Sequence, residues 1–205
     1  MSVEHVEILV EEPSMEAALR AFLPRALRGL SFEIYPYQCK QDLLLRLPER
    51  LRGYAAWLPP DWLILVVVDR DDDNCKELKA SMQVMVTAAG LRMKPDLPGE
   101  YPQVVHRIAI EELEAWYFGD WHAVQQAFPR VSRSIPAKAK FRDPDAIKGG
   151  TWEAFEKVLQ GSGYFQGGLR KIEAARRIGP HLDAARSTSQ SFRCLCTSLE
   201  RIAGS

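Results

Sequence analysis

The sequence predicts an α/β fold, a mainly parallel four-stranded sheet flanked by helices, with a helical extension at its C-terminal end. Three observations carry this expectation. The stretch Trp62–Cys75, WLILVVVDRDDDNC, runs seven apolar residues without a break into Asp69, Asp71, Asp72 and Asp73. An unalternating apolar run of that length reads as a strand buried on both faces, as in a parallel sheet covered by helices. Strand-like and helix-like segments then alternate β-α-β-α-β-α-β-α through the first part of the chain, the order of a right-handed parallel sheet. Beyond Pro129 no strand signal recurs. The chain accordingly divides into residues 1–128, the α/β part, and residues 129–205, a helical and locally basic extension packed on it.

Composition bounds the function classes. At 205 residues, with 46% hydrophobic and 26% charged residues, the chain is an ordinary globular protein. Lys and Arg (27) balance Asp and Glu (27), so overall charge gives no argument for a nucleic-acid partner and any such argument must be local. The segment MSVEHVEILVEE carries acids where a signal peptide needs bases, and no apolar run approaches the roughly 20 residues of a membrane span. A cytoplasmic protein is the expectation. Cys39, Cys75, Cys194 and Cys196 lack paired spacing and read as reduced thiols.

In chain order, Val3–Glu11 reads as the first strand. Ser14 stands as an N-cap before a helix over Met15–Leu27 that Pro24 interrupts or ends. Phe32–Gln38 reads as an edge strand, because Pro36 cannot donate to a ladder. Gln41–Trp57 is helical in pattern with a break at Pro48, and Pro59-Pro60 leads into the acidic strand. Lys76–Ala89 is an amphipathic helix stopped by Gly90, followed by a loop from Lys94 to Pro102. Val104–Ile110 is the fourth strand, and EELEAWYFGDWHAVQQAF from Glu111 reads as one helix. Trp152–Leu159, Leu169–Ile178 and Phe192–Ile202 are short helices of the extension.

Three groups of acids fall where strands hand over to helices, the carboxyl edge at which open α/β sheets place ligands. Asp69 and Asp71, two apart at a strand end, can reach one side of the loop and share a hard cation such as Mg²⁺, with Asp73 in support. Asp72, Asp73 or Asn74 alternatively cap the next helix. Glu11, with Glu12 as its rival, ends the first strand beside a helix N-terminus. Glu112 or Glu114 can complete a carboxylate ring, and in a helix they point roughly 200° apart, so one of them faces the site. An EF-hand is excluded, because Asn74 stands at the glycine position and Ala80 at the twelfth. No GxGxxG or P-loop motif exists, the four histidines are scattered, and no serine elbow supports a hydrolase triad. Between Arg130 and Lys148 six basic residues, Arg130, Arg133, Lys138, Lys140, Arg142 and Lys148, face two acids, a candidate nucleic-acid surface.

The order Glu at the first strand end, then Asp-x-Asp at a later one, resembles the TOPRIM domain of topoisomerases, primases, recombination proteins and overcoming-lysogenization-defect nucleases. Ile8–Glu16 resembles that nuclease family's hydrophobic-Glu-Gly-x-Thr-Glu motif, with Glu11 at its glutamate, and Val67–Asp71 resembles its Asp-x-Asp. Glu12 stands where glycine is usual, and Met15 where the second glutamate is usual. The segments DRDDDNC, ELEAWYFGDW, AKFRDPDAIKGGTWEAFE and GYFQGGLRKIEAAR resemble, over nearly the whole chain, the TOPRIM-like domain-of-unknown-function family 4276. The LRKIEAARRI block resembles the nucleases' lysine-bearing helix, which implies a catalytic role for Lys171.

These resemblances imply a Mg²⁺-dependent (or Mn²⁺-dependent) phosphodiester hydrolase with Glu11, Asp69, Asp71 and Lys171 as catalytic residues. Glu11, Asp69, Asp71, Asp73 and Glu112 or Glu114 are then the metal ligands. The implied partners are nucleic acid, DNA ahead of RNA, and a separate ATPase subunit of the kind found in phage-defence systems. A homodimer is compatible with the sequence, and no membrane is expected. The alternative expectation is a non-catalytic TOPRIM-like module that regulates such an ATPase. A phosphatase using Asp69 as nucleophile, as in haloacid-dehalogenase-like enzymes, fits less well, because that family's Asp-x-Asp usually opens the chain and precedes Thr or Val.

Overall fold

The structure, a computed structural model, describes residues 2–94 and 101–204. The loop expected from Lys94 to Pro102 lies for the most part outside the described residues. Four strands, β1 (His5–Val10), β2 (Ser31–Pro36), β3 (Trp62–Asp69) and β4 (Val104–Ala109), form a single all-parallel sheet in the order β2-β1-β3-β4. Helices α1 (Pro13–Ala26), α2 (Lys40–Trp57) and α3 (Cys75–Ala88) are the crossovers, and α4 (Leu113–Gly119) follows β4. The expected α/β architecture is present, with β1 and β3 central and the Pro36 strand at an edge.

The connection from β1 steps one way to β2, and the next steps back past β1 to β3. Right-handed crossovers in opposite directions put their helices on opposite faces. Val6, Ile8, Val10, Leu63, Leu65 and Val67 therefore face a core shared with α1, whereas Leu9, Ile64, Val66 and Val68 face α2 and α3. Both clusters are fully buried. This is why the third strand reads as a continuous apolar run.

Several local expectations are corrected. Glu12 is the N-cap of α1, because Pro13 takes the first helical position, where its missing N–H costs nothing. Ser14 instead sits inside the helix and donates to the Glu12 carboxylate. Pro48 does not break α2; the buried row Leu43, Leu47, Leu51 and Tyr54 carries the helix across the lost backbone bond. The helix expected from Glu111 onward is two: α4 and α5 (Trp121–Ala127), split at Asp120, whose side chain caps α5 by accepting from Ala123 N.

The last third adds α6 (Thr151–Gly161), α7 (Lys171–Ile178) and α8 (Gln190–Ala203), with short 3₁₀ turns before and between them. Phe155, Leu159, Ala175, Ile178, Phe192, Leu195 and Leu199 join the α1-side core, and α7 lies along α1. No described helix is long and apolar enough to cross a membrane. All four cysteines are free thiols.

Candidate active site

The crevice between β1 and β3 is the sheet's switch point, where the following helices leave to opposite faces. In open α/β sheets this is where ligands bind, outside the carboxyl ends of the strands. Glu11 directly follows β1 and Asp69 is the last residue of β3. The register pairs Val10 with Val67, so the two acids emerge together. One Glu11 oxygen, Oε2, accepts from the Asp69 backbone N–H at 2.9 Å. The Asp69 carboxylate is 4% exposed and its Oδ1 has no hydrogen-bond partner. A third acid comes from α4, where Glu114 is 2% exposed and its Oε2 is likewise unpartnered.

Burial of these acids together sets their proton affinities. Desolvation, with Asp71 and Glu12 adding like charge, pushes Glu11 up to about 7, against the opposing Asp69 N–H and Lys40. Burial and then Glu11, Glu114, Glu12 and Asp71 hold Asp69 well above the carboxylate range. Burial raises Glu114 to about 7, with Lys171 opposing and Glu112 and Glu12 assisting. The acids of three strand ends thus act on one another's charge.

Two lysines balance them. Lys171 is the first residue of α7, which its packing along α1 brings over the crevice. Burial disfavours its charge, but Glu114, Glu12, Glu112 and Asp69 outweigh that and raise it. Its Nζ lies 3.6 Å from Glu12 and 5.3 Å from the centre of the Trp152 ring. Lys40, 5% exposed at the start of α2, donates to Asp71 Oδ2 at 2.6 Å and to the Arg70 carbonyl at 2.9 Å. It also pairs with Asp73 at 2.8 Å.

The loops after β3 and β4 are locked to each other. Asp71 N donates to the Glu111 carbonyl at 2.9 Å, and the Arg70 guanidinium pairs with the Glu111 carboxylate. Both Asp71 (φ 48) and Glu111 (φ 62) adopt the left-handed region that non-glycine residues rarely occupy. Such conformations persist where surrounding contacts over-determine them, and they cluster at functional sites.

The structure therefore brings Glu11, Asp69, Glu114 and Lys171 into one electrostatic cluster, with Asp71 at its margin. Asp73 is half exposed and turned to Lys40. Glu112 is committed elsewhere: its Oε2 accepts from Thr151 N, Thr151 Oγ1 and Trp152 N at 2.7–2.9 Å, holding the start of α6. Arg130, Arg133, Lys138, Lys140, Arg142 and Lys148 are all exposed. Among them Arg130 is tied down, lying over Tyr164 at 4.3 Å and donating to the Gly163 carbonyl at 2.8 Å.

Two residues of this cluster escape sequence reading. Lys40 has one sequence signal, a lysine in the first turn of a helix, where the dipole disfavours it. Tyr117, one turn after Glu114, is fully buried with an unpartnered hydroxyl, and burial with Glu114, Glu12 and Asp69 raises its pKa. Nothing in ELEAWYFGDW distinguishes it from a core aromatic.

Among the described residues, no group of three or more His, Cys, Asp or Glu side chains is arranged to hold a metal ion. The chemistry of the donors nonetheless fits a hard divalent cation: all are carboxylate oxygens, two of them buried and without partners. The remaining acids have turned to Lys40, Lys171 or a backbone N–H.

Neither the curated proteins nor the solved structures contain a match to this chain. One family model does match, over residues 10–200, a span that runs from the end of β1 into α8 and so takes in every residue of the cluster. The chain belongs to the family described as domain of unknown function DUF4276.

Proposed function

We propose that this protein is a Mg²⁺-dependent nucleic-acid phosphodiester hydrolase of TOPRIM type, related to the overcoming-lysogenization-defect nucleases. The observation that carries the reading is the union, at the β1/β3 switch point, of the buried carboxylates of Glu11, Asp69 and Glu114 with Lys171. A buried carboxylate with an unpartnered oxygen is costly, and it is retained where a cation or a reacting group compensates it. Glu11, Asp69 and Glu114 would hold the ion, with Asp71 joining from its pairing with Lys40. A bound Mg²⁺ supplies charge neutralisation at the phosphoryl oxygens and a more acidic water.

The chain's own groups do the rest. Lys171 sets a positive charge against the phosphate as its negative charge grows, in a setting where low dielectric strengthens the attraction. Glu12 orients that ammonium. A cation held there would displace the protons that burial keeps on Glu11 and Glu114, so its binding would be coupled to proton release near neutral pH. Tyr117 adds an unpartnered hydroxyl, held neutral by burial and the neighbouring acids, to the same buried space. The exposed bases from Arg130 to Lys148 would contact the backbone without reading sequence.

A second reading rests on Lys40. Because it neutralises Asp71 and Asp73, the chain also suits a non-catalytic module that binds and regulates a separate ATPase, as in phage defence. Incubation of the purified chain, alone and with any genetically adjacent ATPase, with plasmid and single-stranded DNA and RNA in Mg²⁺ or Mn²⁺ separates the two. Cleavage abolished by both Glu11→Gln and Asp69→Asn supports the hydrolase. Cleavage indifferent to both, or absent under either metal, overturns it, and ATPase stimulation that survives them supports the module.

A further inference from the structure

The sheet's other edge carries a second site. Among the described residues strand β4 has no neighbouring strand on its outer side, and a groove of about 520 Å³ runs along it between α3 and α8. Lys79, Arg107 and Arg201 line this groove with the hydroxyls of Thr197 and Ser198, and its lining contains no Asp or Glu. Among the described residues, none of these three cations has a carboxylate partner.

Arg107 is the built element. It is half-buried on the strand, and its Nε donates to Ser198 Oγ at 2.7 Å and to the Cys194 carbonyl at 3.3 Å. Its Nη1 donates to the His106 carbonyl at 2.6 Å. The guanidinium is thus fixed in place by neutral acceptors, while Nη2 has no protein partner among the described residues. Burial lowers its pKa, and Arg201 beside it adds to the lowering. One arginine placed in low dielectric beside a second cation, with no acid lining the groove among the described residues, leaves an electrostatic deficit that an anion would fill.

The hydroxyls of Thr197 and Ser198 already donate to the Arg193 and Cys194 carbonyls, so recognition falls to the cations: one planar guanidinium with two further cations suits a multiply charged oxyanion such as phosphate. We propose that the groove between α3 and α8 on the free edge of β4 binds a phosphate group, carried by a nucleic-acid strand or by a free nucleotide. Ile110, the residue after β4, also lines the groove, and the next residue is Glu111 of the locked loop pair. A strand seated here would therefore lead toward the carboxylate edge. The site stands whether or not that edge hydrolyses anything.

Binding measured in EDTA, where hydrolysis is silent, tests it. The probes are fluorescein-labelled single-stranded and duplex DNA, ATP and inorganic pyrophosphate. They are presented to the full chain, to the exposed double variant Lys79→Ala/Arg201→Ala and to Arg107→Gln. Arg133→Ala/Lys140→Ala is the control for the basic segment. The expected result is a loss of about tenfold or more in the double variant, with the slope of log affinity against log salt falling by about 2. Loss of DNA binding without competition by ATP assigns the phosphate to a strand; loss of thermal protection by ATP or pyrophosphate assigns it to a nucleotide. The double variant folds independently of whether Arg107→Gln does, because both its residues are exposed. Wild-type affinity and salt slope in that variant, or binding of no probe by the native chain, overturns the proposal, as does loss confined to the Arg133/Lys140 control.

Discussion

The Glu11 carboxylate accepts a hydrogen bond from the backbone N–H of Asp69 at 2.9 Å, so an acid from one strand end is used to hold the next acid in place. That bond stabilises the charged form of Glu11, and burial still overrides it. The balance makes the site sensitive to protons.

Stability should fall as pH rises through neutrality. Glu11 and Glu114 have an ordinary pKa of 4.5 and are held at about 7, so the folded chain keeps protons that the unfolded chain has released. Their contribution is complete below the unfolded pKa and is lost as pH climbs through about 7. A tenfold difference in proton affinity between the folded and unfolded chain is worth about 1.4 kcal/mol, so a loss on the order of 2 kcal/mol or more is expected between pH 5 and pH 8. Thermal melts across that range should show it, and Glu11→Gln should flatten the curve. Added Mg²⁺ should raise the melting temperature more at pH 8 than at pH 5, because a cation competes with protons. A wild-type melting temperature that climbs steadily to pH 8 would refute the picture.

Replacing Lys40 should have opposite effects on fold and metal affinity. Lys40→Met removes a buried ammonium from Asp71, Asp73 and the Arg70 carbonyl, which should cost about 1–3 kcal/mol of stability. The same change frees Asp71 and should tighten Mg²⁺ binding severalfold by calorimetry. Weaker binding in the variant would mean that Asp71 takes no part.

Glu112 and Glu114 should part company. Glu112→Ala strips three donors at the start of α6 of their acceptor and should lower stability by about 1–3 kcal/mol, leaving the Mg²⁺ response intact. Glu114→Gln should be tolerated thermally at pH 8 and should abolish most of that response. The reverse pattern would move the ligand assignment to Glu112.

Lys171→Met should suppress turnover on a nucleic-acid substrate by about 10²-fold or more while leaving Mg²⁺ binding within a few-fold. Turnover at the wild-type rate would reduce Lys171 to a counter-ion for Glu114 and Glu12.

The fold was legible because its signals are local. An unbroken apolar strand, alternating element types and turn residues between them are written in neighbouring positions. Boundaries were less so: Pro13 displaced Ser14 from the cap of α1, and tertiary burial of Leu47 and Leu51 carried α2 through Pro48. For the candidate site, the meeting of Glu11 and Asp69 was legible from strand ends alone. The division of labour between Glu112 and Glu114 was not, since it depends on α6 offering donors 39 residues downstream. Tyr117 was invisible for the same reason, and Lys40 showed only as a lysine misplaced in a helix's first turn, because only folding sets them beside the acids.

Order of synthesis adds a consequence to the packing of α7 on α1. The acids Glu11, Asp69 and Glu114 are all made before Lys171, which arrives in the last fifth of the chain and reaches the crevice only when α7 docks. A nascent or truncated chain ending before that helix would hold these carboxyls without Lys171, with Lys40 alone on the Asp71 side of the cluster. On the proposed reading, the chain lacks its phosphate-facing cation until it is nearly finished, and a chain ending between α6 and α7 would lack it with every residue of the sheet intact.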